Sequence, residues 1–154
     1  MPRQRARVRP ARTADAPEIV RMRTALWPDS TADEVTELLK RRGPPLALLV
    51  GERPEGGLCG YAEVGLRPFA EGCTTSPVGY LEGVWVDADA RRGGVATALL
   101  RAGIRWAADR GVREFASDAG IENAGSVAFH RAAGFREAGR VVCFRMDLPG
   151  AAPG

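Results

Sequence analysis

Lysine is nearly missing from this chain: of 22 basic residues, only Lys40 is not an arginine. With no Gly-Lys-Ser/Thr triplet, a Walker phosphate-binding loop is excluded. The arginines are spread along the whole sequence beside abundant alanine, glycine and proline, a bias of the kind a GC-rich genome imposes. The net charge of +3 therefore marks no concentrated basic face, and aromatics make up only 6% of residues. Without a basic patch interleaved with stacking side chains, no nucleic-acid partner is expected. One histidine, His130, and three cysteines, Cys59, Cys73 and Cys143, without Cys-x-x-Cys spacing, argue against a zinc centre and a disulfide framework; no metal is expected. No apolar run is long enough to span a bilayer, so no membrane partner is expected. The basic stretch "MPRQRARVRPARTAD" lacks a following apolar segment, and the chain reads as cytoplasmic.

What is present suits one domain. A chain of 154 residues can bury a good core; the domain is expected over 1–148, with "PGAAPG" (149–154) a disordered tail. A short strand is expected at 7–11. Thr13 then reads as the cap of a helix bearing Ile19, Met22, Leu26 and Trp27 on one face. Thr31 with Glu34 forms a capping box before a second helix, stopped at Gly43 and two prolines. "LALLVGE" and "LCGYAEVGLR" read as strands around the turn "RPEGG". A loop at 68–79 leads to a strand at 80–86, a helix at about 94–110, a strand "REFASDA", a helix at about 123–133, and two short closing strands in "FREAGRVVCFRMDL". This order predicts the α/β class, specifically α+β, with a single mixed central sheet flanked by helices.

The stretch "EGVWVDADARRGGVATALL" raises a chemical question. A helix N-terminus offers unpaired N–H groups and positive dipole, so it attracts anions. Glycines allow close backbone approach and arginines add forked donors. Arg91, Arg92, Gly93, Gly94, Val95, Ala96 and Thr97 thus form a candidate pyrophosphate cradle. The spacing is not that of a dinucleotide-binding GxGxxG loop. Taken alone, Arg91-Arg92-Gly93-Gly94 reads more readily as a glycine-rich turn with solvated arginines.

Context changes that reading. "VWVDADARRGGVATALL" resembles motif A of the GNAT N-acetyltransferase superfamily, Arg/Gln-x-x-Gly-x-Gly/Ala, at Arg91, Gly94 and Ala96, and "NAGSVAFHRAAGFREAG" resembles its second signature. More specifically, "ALWPDST", "TTSPVGYLEGVWV", "RRGGVATALL", "EFASDA" and "FHRAAGF" are similar, in order, to the aminoglycoside 6'-N-acetyltransferases. The resemblance implies a GNAT fold and acetyl-CoA as co-substrate. It also implies transfer to the 6'-amine of an aminoglycoside, antibiotic resistance and a homodimer, the segment "VVCFRMDL" pairing or swapping across the interface.

The chemistry of amine acetylation requires a neutral nitrogen, and an alkylamine at neutral pH is mostly protonated. Carboxylates must attract the cation and accept its proton, directly or through water. Glu82, on the strand before the loop, and Asp118, ending the next strand, are the candidate catalytic and amine-binding acids; each also reads as a surface acid. The resemblance places substrate-contacting acids at both. Trp27 serves as an apolar wall for a sugar ring or as a hydrophobic clamp at a helix end. Phe69 is a candidate substrate-facing aromatic, and Asp29, Glu63 and Glu71 either add negative potential or are ordinary surface groups. Backbone groups of Val84, Trp85 and Val86 are expected to pair with pantetheine amides, with a backbone N–H near Val84 polarising the thioester carbonyl, and the Asn123 side chain to contact the pantetheine arm. Many superfamily members carry a tyrosine, held to protonate the departing thiolate, where this chain has His130; the histidine acts as that acid or is simply packed and hydrogen-bonded. Some of the similar enzymes have an acid after that helix, where this chain has Gly139. The rival readings are acetylation of another small amine, such as a polyamine, or of a peptide N-terminus, and a non-catalytic acyl-CoA-binding module.

Overall fold

The chain builds a single mixed sheet in the computed structural model, which describes residues 6–41 and 43–150. Its strands are β1 (Arg7–Pro10), β2 (Leu46–Glu52), β3 (Leu58–Arg67), β4 (Val78–Val86) and β5 (Phe115–Ser117). The helices are α1 (Ala16–Leu26), α2 (Ala32–Lys40), α3 (Val95–Ala108) and α4 (Ala124–Ala132). Strand order follows chain order; β1 to β4 are antiparallel, and β5 lies parallel to β4 after the α3 crossover. The expected fold class is the one observed.

Local chemistry sets the helix starts. At α2, Thr31 Oγ1 accepts from Glu34 N at 3.2 Å and Glu34 Oε2 accepts from Thr31 N at 3.4 Å, the reciprocal box that the spacing predicts. At α1 the N-cap position is Asp15 rather than the expected Thr13, and its side chain makes no cap bond to the helix. Residues Thr13–Asp15 form a 3-10 turn, and Asp15 accepts from Arg12 N at 2.7 Å and from both terminal nitrogens of Arg9 at 2.8 and 2.9 Å.

Apolar side chains cover both faces of the sheet. Ile19, Met22, Val35 and Leu39 from α1 and α2 pack with Val50 and Tyr61 on one side. On the other, Val95, Leu99 and Leu100 of α3 pack with Ala62, Val64 and Leu81. Gly103 lets α3 sit this close, since a Cβ there would stand 2.5 Å from Val64 Cγ2. A mid-helix glycine costs about 1 kcal/mol of propensity, so its packing must offset that.

Two irregularities shape the working end. Pairing of β3 with β4 jumps from Glu63↔Gly83 to Val64↔Leu81, leaving Glu82 as an extra, bulged residue. Pairing of β4 with β5 covers only Gly79↔Phe115 to Leu81↔Ser117. Beyond Leu81, β4 has a neighbour on one side only.

The sheet differs from the expected one at its margins. The strand placed at 80–86 begins at Val78, and that at 113–119 contracts to Phe115–Ser117. The two closing strands do not form: 136–148 is neither helix nor strand, and Val141, Val142, Phe144, Met146 and Leu148 are 66% to 91% exposed. A strand needs a neighbour for its N–H and C=O groups, and among the described residues this segment finds none. Most of the expected tail, 151–154, lies outside the described residues. Among the described residues no helix is long and apolar enough to cross a membrane.

Candidate active site

The loop between β4 and α3 turns on two left-handed residues, Arg92 (φ 63°) and Gly94 (φ 82°). Gly94 stands at the helix N-cap without any side-chain cap, and no acid occupies the first turn of α3. The N–H groups of Val95, Ala96 and Thr97 therefore emerge uncapped. They border a cavity of about 200 Å³ lined also by Val86, Ala90, Arg91, Arg92, Gly94 and Phe129; Gly93 lies between its lining residues. The neighbouring acids are neutralised by pairing with other residues. Asp87 binds Arg21 at 2.7 Å and Arg53 at 3.2 Å, and Asp89 binds Arg53 at 2.8 Å. Burial works against the Asp87 charge, yet bonds from Arg21, Trp85 and Arg53 hold its carboxyl below the usual range; Arg53 does the same for Asp89. The cradle thus stays electropositive, with donors, space and charge suited to a pyrophosphate.

The open edge of β4 adjoins this cavity. Asp87 N bonds Cys59 O of β3 at 2.8 Å, so antiparallel alternation turns the main-chain groups of Trp85 toward β3 and those of Val84 and Val86 toward the open side. Arg91 Nε donates to Val86 O at 3.0 Å from that side. This corrects the expectation for Trp85: its backbone serves the sheet ladder. Its indole instead donates to Asp87 at 3.0 Å and lies under Arg91, 5.1 Å from the ring centre.

Where the β4–β5 pairing ends lie the two candidate acids, Glu82 after Leu81 and Asp118 after Ser117. Glu82, half-buried on its bulge, receives Arg67 through Nε at 2.8 Å and through a terminal nitrogen at 2.5 Å. The Arg67 guanidinium is 3.6 Å above the Tyr80 ring, and the Tyr80 hydroxyl donates to Asp118. Burial and the Asp118 carboxylate push the Tyr80 phenol above its ordinary pKa, and the bonds to Glu82 raise that of Arg67. Asp118 itself is exposed. Glu82, Arg67, Tyr80 and Asp118 form one connected group.

Trp27 follows α1 and lies across Gly83, where a Cβ would stand 2.6 Å from the indole. Arg23, 5.0 Å over its ring, is fixed by Glu63 at 2.6 Å and by Glu34 and Ser30. Glu63 is therefore neither a surface group nor a source of outward potential: it is 5% exposed, and Tyr61 also donates to it at 2.5 Å. Asp29, Glu71 and Phe69 are exposed, Phe69 to 63%. The structure brings neither Asp29 nor Glu71 into the carboxylate group.

The second signature folds as α4. Asn123 caps it through Oδ1, accepting from Ser126 N at 3.1 Å, which leaves its amide nitrogen for other work. His130 Nδ1 lies 2.7 Å from Ser126 O, a pure acceptor, so Nδ1 carries hydrogen; Nε2 lies 2.7 Å from Ser117 Oγ. Both ring nitrogens are engaged, and the ring packs against Phe129 and Phe135. The residue ties α4 to β5.

Arg67 and Tyr80 were missed from sequence. Tyr80 was detectable, because two-residue alternation puts it on the face of Glu82. Arg67 was not, since only the β3–β4 register carries it there.

Comparison with known proteins agrees with this geometry. Residues 14–135 match the family model described as acetyltransferase (GNAT) family. An aminoglycoside N(6')-acetyltransferase type 1 of Klebsiella aerogenes is 43% identical, over 92% of this chain and 96% of the relative. Among solved structures, AAC(6')-Iy in complex with CoA superposes with a TM-score of 0.87 at 32% identity, covering 96% of this chain and 99% of that one. AAC(6')-Iy in complex with the bisubstrate analogue CoA-S-monomethyl-acetylneamine gives 0.84 at 32% identity, covering 93% and 99%. The early end of the β4–β5 pairing, the uncapped arginine–glycine loop and these matches converge: the chain belongs to the GNAT acetyltransferase family.

Proposed function

We propose that the protein is an aminoglycoside 6'-N-acetyltransferase, which passes the acetyl group of acetyl-CoA to the 6'-amine by direct attack and so confers antibiotic resistance. The observation that carries this reading is the β4 edge left unpaired by β5 after Leu81, with an anion cradle at one end and carboxylates at the other. The activity named for the 43% identical relative, and the acetylneamine moiety in the bisubstrate complex, support its extension to this chain.

In this reading the N–H groups of Val95, Ala96 and Thr97, with Arg91 and Arg92, hold the pyrophosphate, and Gly93 and Gly94 admit it closely. Open-edge groups of Val84 and Val86 pair with pantetheine amides, helped by the Asn123 amide nitrogen. The Val84 N–H polarises the thioester carbonyl. Asp118 draws in the ammonium and takes its proton, directly or through water, and Glu82 flanks the same amine. The amine nitrogen then bonds the acyl carbon as the carbon–sulfur bond breaks, and the surplus proton on that nitrogen passes to water. His130 acts by fixing α4 on β5, and the thiolate takes its proton from solvent. Trp27 walls the sugar, with Phe69 at the rim.

The domain runs over 1–148, with 149–154 as its tail, and the enzyme works in the cytoplasm, where its three free cysteines stay reduced. It is a homodimer: the exposed apolar run from Val141 to Leu148 finds the neighbour it lacks in a second copy.

One observation favours a second reading. Arg67 neutralises Glu82 and Arg23 neutralises Glu63, which leaves less negative charge than a polycation invites and suits another small amine. Thiol release from acetyl-CoA decides between them. Turnover with kanamycin or tobramycin, and none with a 6'-hydroxyl aminoglycoside, is the expected result. Acetyl-CoA binding without turnover on any aminoglycoside overturns it.

A further inference from the structure

The reaction brings an ammonium group to Glu82 and Asp118, yet a cation already sits between them. Arg67 grips Glu82 with two nitrogens and lies 3.6 Å above Tyr80, whose hydroxyl is bonded to Asp118. Its side chain is 42% exposed, so an arriving ligand can reach the guanidinium. Bidentate geometry and ring stacking fix it from two directions, which is more than an ordinary surface pair has.

The geometry points to Arg67 as the group that keeps the acceptor nitrogen deprotonated: a resident positive charge that cancels Glu82 and disfavours a second cation beside it. The inference rests on the amine-acetylating function proposed above. Two free carboxylates bind an ammonium tightly but stabilise its charged, unreactive form, whereas a nearby like charge lowers the amine pKa. Arg67 thus trades affinity for reactivity, leaving Asp118 as the acid that attracts the substrate and receives its proton.

The ionisable groups around Arg67 are few. Glu82 and Tyr80 of β4 and Asp118 after β5 act on its charge. Glu63, further back on β3, is spoken for by Arg23 of α1 and by Tyr61, and Glu71 of the following loop is exposed.

The test is the pH profile of kcat, which reports ionisations in the substrate complex, measured with a 6'-amino aminoglycoside for wild type, Arg67→Met and Arg67→Lys. Arg67→Met is expected to lower KM for the aminoglycoside about threefold to tenfold. Its acid limb of kcat moves alkaline by roughly 0.5–1 unit, so kcat at neutral pH falls by a similar factor. Arg67→Lys retains the charge and keeps the limb near its wild-type position, and acetyl-CoA affinity is unchanged throughout. Arg67→Gln serves the same comparison should the methionine variant fail to fold. An unmoved acid limb, or a raised KM, in an active and folded charge-removing variant overturns the role of Arg67 alone. A wild-type enzyme that acetylates no aminoglycoside overturns the functional reading and this inference with it.

Discussion

Substituting Gly83 by alanine separates the two roles open to Trp27. A Cβ at this position would lie 2.6 Å from Cη2 and 2.7 Å from Cζ2 of the indole. Carbon pairs rest at about 3.5–4.0 Å, so the ring must retreat by roughly 1 Å. It has little room to do so, because Trp27 N is bonded to Arg23 O at 2.8 Å and the Arg23 side chain over the ring is anchored by Glu63 and Glu34. Overpacking of this kind costs about 1–3 kcal/mol. At about 2–4 °C per kcal/mol for a chain of this size, the middle of that range predicts a Tm lower by ~4–8 °C in a thermal shift assay. If Trp27 is also the wall of the sugar site, KM for the aminoglycoside rises while the affinity for acetyl-CoA holds. The double variant Gly83→Ala/Trp27→Ala should be no less stable than Trp27→Ala alone, since the clash has gone. Wild-type Tm and KM in Gly83→Ala would refute the packing argument. A lowered Tm with unchanged KM would reduce Trp27 to a clamp.

Asp118→Asn keeps the size of the side chain but loses its charge and its capacity to accept a proton. It should lower kcat/KM by about 10²–10⁴-fold with little change in Tm, as steady-state kinetics and thermal unfolding will show. Gly94→Ala forces a side chain into φ 82°, costing about 1–2 kcal/mol, and should weaken acetyl-CoA binding in calorimetry more than it affects the amine. The bonds from Arg9 depress the Asp15 pKa. Its contribution to stability is therefore present above the unfolded-state carboxylate pKa of about 3.9 and lost as pH falls through the lower folded value. Asp15→Asn should accordingly be less stable than wild type at neutral pH, the gap closing on acidification below about pH 4 in denaturant titrations. Val142→Asp with Phe144→Asp should convert a dimer to a monomer by light scattering; a wild type that is already monomeric refutes the dimer.

Much of the fold could be read along the chain. The Thr31–Glu34 box and the short apolar runs of β2 and β3 announce themselves along the chain, and the turn between those strands is written in Pro and Gly. The arginine–glycine loop was visible because backbone freedom and helix-end chemistry are local properties. Pairing across the sheet was not visible. Alternation places Glu63 on one face of β3 but says nothing of Arg23 waiting on α1 to neutralise it. It cannot place the bulge at Glu82 either, since an inserted residue looks like any other until a partner strand is set beside it. The closing strands failed for a related reason: "VVCFRMDL" has the pattern of a strand, but a pattern supplies no neighbour.

The brevity of β5 constrains any attempt to make this protein sturdier. Strengthening a sheet ordinarily means extending its ladders, and here the obvious extension runs from Ser117 toward Asp118 alongside Glu82 and Val84. Each added rung would close the edge on which the proposed pairing with pantetheine amides depends. The same vacancy offers a route to an inhibitor: a short extended peptide that lies down beside Val84 and Val86 would complete the sheet and lock out the donor without resembling a nucleotide at all.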